Sequence, residues 1–194
     1  AIYLGKRKGF NQSPLPPHNR TMVMIGASML WVGWFGFNAG SALAADQSAG
    51  MAMLVTHIGA AAGSLSWMAR EWSKQGKPSV LGIVTGMVAG LGTITPASGF
   101  VGPLGALIIG VLAGLICYEA TQYIKKVLKI DDSLDVFPVH GVGGILGTLM
   151  TGVFASNALG VFSGQEDIAI ATQVSIQAGG ILLSLIHISE PTRL

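Results

Sequence analysis

Long stretches without a charged side chain divide the sequence. Asp, Glu, Lys and Arg are absent from 21–45, 47–69, 78–118, 136–165 and 168–189. A helix needs about 20 apolar residues to cross the hydrocarbon core of a bilayer, so each shorter stretch can hold one spanning helix and the longest can hold two. Turn-forming residues at 95–99 and 102–103 indicate where the longest stretch is interrupted.

This pattern predicts an all-α membrane protein, built as a bundle of transmembrane helices. Complete spans are expected at about 21–44, 50–69, 79–95, 100–122 and 136–156, and the start of a last span at 168–182. Apolar and polar residues do not alternate over ten-residue segments, as they would in the strands of a membrane β-barrel. The pattern therefore favours helices throughout.

The composition agrees with a chain that lies in lipid. Apolar residues make up 51% of the sequence and charged residues only 10%, whereas about a quarter of the residues in a soluble domain are charged. This balance argues against a soluble enzyme. The net charge of +2, without a long basic block, argues against a nucleic-acid partner. A single cysteine, Cys117, allows neither a disulfide framework nor a cysteine metal cluster, and no cofactor or metal is predicted.

The basic residues predict which helix ends face the cytoplasm. Ten of the 11 lysines and arginines lie on one side of an alternating bundle, in 1–20, 70–77 and 123–135. The connections on the other side contain none; they are 45–49, 96–99 and 157–167. Because cytoplasmic loops carry an excess of Lys and Arg, the basic side is predicted to be cytoplasmic, in an inner (plasma) membrane.

Both ends of the sequence suggest a piece of a longer protein. The chain does not begin with Met and opens on the basic loop 1–20 without a signal peptide, so further membrane segments are expected upstream. Residues 183–193 resemble, codon for codon, the translation of a transposon adapter used in sequencing libraries. We therefore interpret 1–182 as the native domain and 183–194, with His187, as adapter-derived.

A histidine lies among the glycines of the fifth span. The neighbours of His140 at i−4, i+3, i+4 and i+7 are Val136, Gly143, Gly144 and Gly147. Helical spacing predicts that they share one face, so the imidazole is expected in a close helix–helix contact or a narrow lumen. A neutral imidazole is favoured in hydrocarbon and can pass on a small polar molecule or a proton. The residues alone leave open a histidine that only joins two helices by a hydrogen bond.

A second group of candidates lies near the outer end of the first span. Two aromatic rings, an amide and a hydroxyl occur at i, i+3, i+4 and i+7, in Trp34, Phe37, Asn38 and Ser41. Ring faces attract a small cation, and a hydroxyl can accept its hydrogen bonds. Taken alone, the motif favours an ordinary aromatic belt at the membrane interface.

Together the two motifs resemble signatures of the ammonium transporter family (Amt/Mep/Rh), and most closely of its bacterial Amt branch. They read WFGFNAGS at 34–41 and DDSLDVFPVHGVGGI at 131–145. Shorter matches follow the same order: GKR at 5–7, PHN at 17–19, EW at 71–72, TPA at 95–97, GALIIG at 105–110 and MTG at 150–152. The resemblance covers nearly all of 1–175. It implies the second half of an eleven-helix fold, about helices six to ten and the start of the eleventh, assembled as a homotrimer.

The resemblance also implies roles for individual residues. His140 matches the second of the family's paired pore histidines, Phe37 matches one of two phenylalanines that gate the outer mouth, and Ser41 matches the hydroxyl of the external ammonium site. Trp34 and Val136 match apolar lumen residues.

Two further residues are interpreted beside this set. Thr95 matches a family position near the external ammonium site. His57, on another helix, is interpreted as a packing or hydrogen-bonding histidine.

The function implied is selective passage of ammonium or ammonia through a hydrophobic pore. The cation is recruited at the outer face, loses its proton beyond Phe37, and crosses as ammonia past His140. The alternative is an ammonium sensor of the same family; motifs of an intramembrane enzyme or a water channel are missing from the sequence. The implied partners are the lipid bilayer and a PII-type regulator at the cytoplasmic loops.

Overall fold

The computed structural model describes residues 2–13, 15–156 and 169–189. Within them, six α-helices follow one another: α1 (Arg20–Gly40), α2 (Gln47–Gln75), α3 (Val80–Ile94), α4 (Pro103–Gln122), α5 (Gly143–Phe154) and α6 (Ile170–Ser189). Short helical turns extend three of them: a 3-10 turn (Thr95–Ala97) after α3, a π turn (Tyr123–Val127) after α4 and a π turn (Phe137–Val142) before α5. No strand occurs among the described residues.

All six helices, with their extensions, are long and apolar enough to cross a membrane. This confirms the predicted all-α fold. Several boundaries differ from the predicted ones: α1 ends at Gly40 instead of about 44, and α2 continues to Gln75 instead of about 69. A helix does not need apolar residues once it leaves the bilayer, which accounts for the longer α2. The predicted connection 157–167 and residues 190–194 lie outside the described residues. The adapter origin of 183–194 stays a prediction.

Side chains at the predicted turns begin and end the helices. Asn19 accepts a hydrogen bond from the backbone N–H of α1 at 3.0 Å, and Asp46 accepts one from α2 at 3.1 Å, which satisfies donors that a helix start leaves free. Gly76 ends α2 in the left-handed region, with φ 77, where glycine is unstrained. Pro103 opens α4 at a position where no backbone donor is required.

A buried carboxylate joins α2 to α3. Glu71 is 7% exposed; one of its oxygens accepts from the Ser79 backbone N–H and the other from the Ser79 hydroxyl, both at 2.8 Å. The same hydroxyl oxygen accepts from the N–H of Gly82 at 2.9 Å. A negative charge at a helix N-terminus is favourable, so Glu71 fixes the corner between the two helices.

Glycines bring α2, α3 and α4 into backbone contact. A Cβ on Gly90 of α3 would overlap the carbonyl oxygen of Gly59 in α2, and a Cβ on Gly110 of α4 would lie 2.6 Å from the same atom. Close backbone approach through small residues is the usual way membrane helices pack. Gly90 and Gly110 therefore serve helix packing, and α3 is the most buried of the described spans.

The segment before α1 is held against the connection between α4 and α5. The Arg7 guanidinium binds both carboxylate oxygens of Asp131, and the Arg7 backbone N–H donates to the same carboxylate at 2.7 Å. These bonds lower the pKa of Asp131 to about 2. Nearby, Lys125 Nζ donates to Asp135 at 2.8 Å, while burial raises the pKa of Asp135.

Candidate functional site

The predicted site residues lie on the open sides of the bundle. A groove of about 580 Å³ runs along α1 and is lined by Gly26, Met29, Leu30, Gly33, Trp34 and Phe37. A second groove, of about 330 Å³, lies between α5 and α6, and its lining includes His140, Gly141, Gly144, Thr148, Gly180 and Ser184. Two of the predicted residues thus share the first groove, while His140 lies in the second.

A hydrogen-bonded cluster fixes the C-terminal half of α1. Trp34 Nε1 donates to the Thr95 hydroxyl at 2.8 Å, and Thr95 donates onward to the backbone oxygen of Leu91 at 2.7 Å. Asn38 Nδ2 donates to the Thr56 hydroxyl at 2.9 Å and approaches Thr95 Oγ1 at 3.4 Å. The indole and the amide of α1 are therefore anchored to α2 and α3.

The contacts of this cluster show that the prediction of one shared face for Trp34, Phe37, Asn38 and Ser41 is wrong. Asn38 is 5% exposed and points to α2, whereas its neighbour Phe37 is 63% exposed. Successive residues of a helix are about 100° apart, so two adjacent positions cannot both point into the open groove. Asn38 is a structural residue of the described fold, and no sequence signal indicated its partner Thr56 because that residue lies on another helix.

The two remaining candidates of this motif, Phe37 and Ser41, are exposed at the C-terminal end of α1. The rings of Trp34 and Phe37 meet edge to face, with centroids 6.1 Å apart. Ser41 Oγ donates to the carbonyl of Phe37 at 2.7 Å, and Ser41 is exposed. Because the hydroxyl proton is used within the helix, the lone pairs of the oxygen are available to accept from an external donor.

His140 lies in the π turn that leads into α5, and its side chain is exposed in the second groove. Gly144 lines the same groove, but Gly143 and Gly147 face α3, where a Cβ on Gly143 would lie 2.7 Å from Thr93 Oγ1. The prediction that these glycines share the face of His140 is wrong for the latter two. The wider π turn advances fewer degrees per residue than an α-helix, which rotates them away from the imidazole.

The remaining candidates lie apart from these contacts. Val136 is 52% exposed immediately before the π turn, toward the basic end of the bundle. His57 stacks on the rings of Trp31 and Phe35, with centroids 5.2 and 5.9 Å away, and lines neither groove. These ring contacts agree with the packing interpretation of His57.

Comparisons with known proteins assign the chain to a family. The model of the Ammonium Transporter Family matches residues 1–189. The chain belongs to the ammonium transporter family. It is 48% identical over 165 residues to ammonium transporter Amt1 of Archaeoglobus fulgidus, covering 84% of this chain and 41% of that protein. It is 44% identical over 187 residues to an ammonium transporter of Aquifex aeolicus, covering 96% of this chain and 43% of that protein.

Solved structures of Mep2 and Amt proteins share the fold. The crystal structure of Candida albicans Mep2 matches with a TM-score of 0.84 and 35% identity, over 94% of this chain and 42% of that one. The structure of a sensor Amt protein matches with a TM-score of 0.79 and 34% identity, over 87% and 41%. This ammonium transporter chain therefore spans less than half the length of these relatives, as the resemblance predicted.

Proposed function

We propose that this segment forms part of a transmembrane passage for ammonium nitrogen. The complete transporter, in this proposal, joins the segment to the further membrane helices expected upstream. His140 carries the proposal: its imidazole, on a membrane helix, lies in an open glycine-lined groove instead of packing into the core. An ionisable side chain within a membrane commonly marks a transport path, and family membership supports the same function.

The cation is recruited at the outer end of α1. Ser41 accepts hydrogen bonds from ammonium through the lone pairs that its bond to Phe37 leaves available. The faces of Phe37 and Trp34 attract the positive charge, and together these groups replace part of the hydration shell. Thr95 contributes by holding the indole of Trp34 in place.

The neutral molecule then crosses the bundle. At Phe37 the cation gives up its proton to water at the outer mouth, and ammonia passes His140 and leaves by way of Val136 toward the basic side. A neutral imidazole donates from one ring nitrogen and accepts at the other, which suits a molecule that does both. Potassium is rejected because it cannot lose a proton and gains nothing from directed hydrogen bonds.

Replacing His140 tests this proposal in the complete transporter. We expect His140→Ala to lower ammonium uptake at limiting substrate by at least about tenfold, which corresponds to about 1.4 kcal/mol, with little change in melting temperature because the side chain is exposed in the groove. His57→Ala is the matched control, since it removes a second intramembrane histidine outside both grooves. Equal uptake by the His140 variant and the unsubstituted protein would remove His140 from the mechanism.

Assembly, location and regulation follow from the same proposal. The complete transporter is a homotrimer in an inner (plasma) membrane, with 1–20, 70–77 and 123–135 on the cytoplasmic side. The ion pair between Arg7 and Asp131 supports a shared surface for the first and last of these segments. A PII-type regulator binds this surface at the cytoplasmic mouth.

A sensor is the second candidate, because one of the structural neighbours is a sensor Amt protein. Transport and sensing can be distinguished with the complete protein reconstituted in sealed vesicles. A transporter accumulates ammonium in sealed vesicles, whereas a sensor binds ammonium and changes conformation without accumulation. Saturable binding without uptake by the complete protein would replace our first candidate with the second.

A further inference from the structure

The helical glycines of α3 fall into two groups. Gly82, Gly86 and Gly90 are buried, and a Cβ on any of them would overlap atoms of α2. Gly92 is half-buried, and a Cβ there would lie 3.7 Å from His140 Nδ1 and 4.0 Å from the carbonyl oxygen of Val139. These are ordinary van der Waals distances, so packing requires glycine at the first three positions but not at Gly92.

Gly92 also lowers the stability of its helix without a conformational reason. It lies inside α3 and is not among the residues with positive φ, so its backbone suits any amino acid. A glycine in a helix interior costs about 1 kcal/mol relative to alanine. Because Gly92 has this cost and is required neither for packing nor for backbone geometry, it is expected to have another role. The side chain nearest to its Cβ position is His140.

The missing side chain of Gly92 leaves space beside the imidazole of His140. Within the second groove, Gly144 of α5 and Gly180 of α6 line the same cavity as His140. On the α3 side, the nearest side-chain atom to the Cβ position of Gly92 is Nδ1, at 3.7 Å. Glycines of three helices therefore lie around His140, two of them in the lining of its groove and the third beside its Nδ1.

We propose that Gly92 is a specificity-determining residue that admits methylated ammonium past His140. The inference rests on the proposed function, in which the substrate passes this ring. Ammonia has no substituent and does not need the space, whereas methylamine carries one methyl group, the size of the absent Cβ. Adding or removing one methylene group in a binding pocket changes the preference between two substrates by about 10- to 200-fold.

The test compares two substrates in one protein. In the complete transporter with Gly92→Ala, we expect the initial rate of methylammonium uptake to fall about tenfold. The initial rate of ammonium uptake should stay within about twofold of that of the unsubstituted protein, because only the larger molecule meets the new methyl group. Gly92→Ser, similar in size, should shift the ratio in the same direction. Gly36→Ala is the matched control: Gly36 is an exposed helical glycine outside both grooves, with nothing within 4 Å of its Cβ position.

The outcomes separate this inference from the proposed function. An unchanged ratio in both Gly92 variants, or an equal loss of both substrates, overturns the specificity role and leaves transport itself standing. Absence of uptake of either substrate by the unsubstituted protein instead overturns the proposed function. Melting temperatures provide the folding control: Gly92→Ala should melt no lower than the unsubstituted protein, and a clear decrease would show that packing requires this glycine.

Discussion

The core formed by α2, α3 and α4 is held together differently from the helices that carry the candidate site. In the core, glycines let backbones touch, as at Gly59 and Gly90. The C-terminal half of α1 is instead held by directional hydrogen bonds from Trp34 and Asn38. Close packing of this kind leaves no open volume, whereas a few polar anchors position a helix and leave one of its faces free.

The same contrast distinguishes two kinds of glycine. Gly90 is needed because backbone atoms occupy the position of its Cβ, whereas Gly26, in the groove along α1, has nothing within 4 Å of that position. Glycines of the first kind hold helices together, and glycines of the second kind leave room beside them. A glycine count in the sequence cannot separate the two, because the difference lies in what the neighbouring helix presents.

Gly90→Ala should have the largest effect on stability. Its methyl group would overlap the carbonyl oxygen of Gly59, and since backbone atoms cannot rotate away, we expect a loss of about 3 kcal/mol, at the upper end of overpacking costs. Thermal melting of the purified protein in detergent measures this loss. Gly26→Ala is the control and should melt at the same temperature or higher. Similar destabilisation by both substitutions would contradict the distinction between core and open side.

Thr95→Val should have an intermediate effect, because it removes an anchor of α1. The substitution leaves Trp34 Nε1 without its acceptor, and we expect a loss of about 1 kcal/mol, as for interhelical hydrogen bonds in other membrane proteins. Indole fluorescence should shift as the ring loses its fixed position. Thr95→Ser keeps the hydroxyl and should restore both readouts. If valine and serine behave alike, the hydroxyl does not anchor α1.

The sequence predicted the helices better than the side-chain directions. Charge-free stretches located all six spans because the length of a membrane helix follows from the bilayer itself. The inward direction of Asn38 could not be predicted, since it depends on Thr56 in another helix. The faces of Gly143 and Gly147 were predicted incorrectly because the π turn at Phe137–Val142 breaks the α-helical spacing on which the prediction relied.

The candidate site could likewise be predicted only in part. The motifs singled out His140, Phe37 and Ser41 by residue type, and the structure exposes all three. Neither periodicity nor the motifs indicated Gly92, which approaches His140 from a different helix. Residues that act through contacts within one helix are visible in a sequence, whereas those that act across helices require coordinates.

Asp131→Asn should give the smallest effect, and one that depends on pH. The Arg7 guanidinium lowers the pKa of Asp131 from 3.8 to about 2, so the carboxylate favours the folded state when it is ionised. A folded-state pKa below the ordinary value gives stability that is fully present above pH 3.8 and is lost as the pH falls toward about 2. Melting temperatures of the unsubstituted protein and the variant should therefore differ at neutral pH and converge in acid.

Whether the two melting temperatures converge in acid decides what the ion pair between Arg7 and Asp131 contributes. Asp135, whose pKa is raised by burial, changes stability in the opposite sense, but it does so in both proteins and cancels in their difference. Because Arg7 holds the connection that leads into α5, the difference curve reports how strongly the segment before α1 is held to that connection. A difference that persists unchanged below pH about 2, where Asp131 is mostly protonated in the folded state, would mean that asparagine disturbs the connection by its shape, and the ion pair would then contribute nothing to the position of α5.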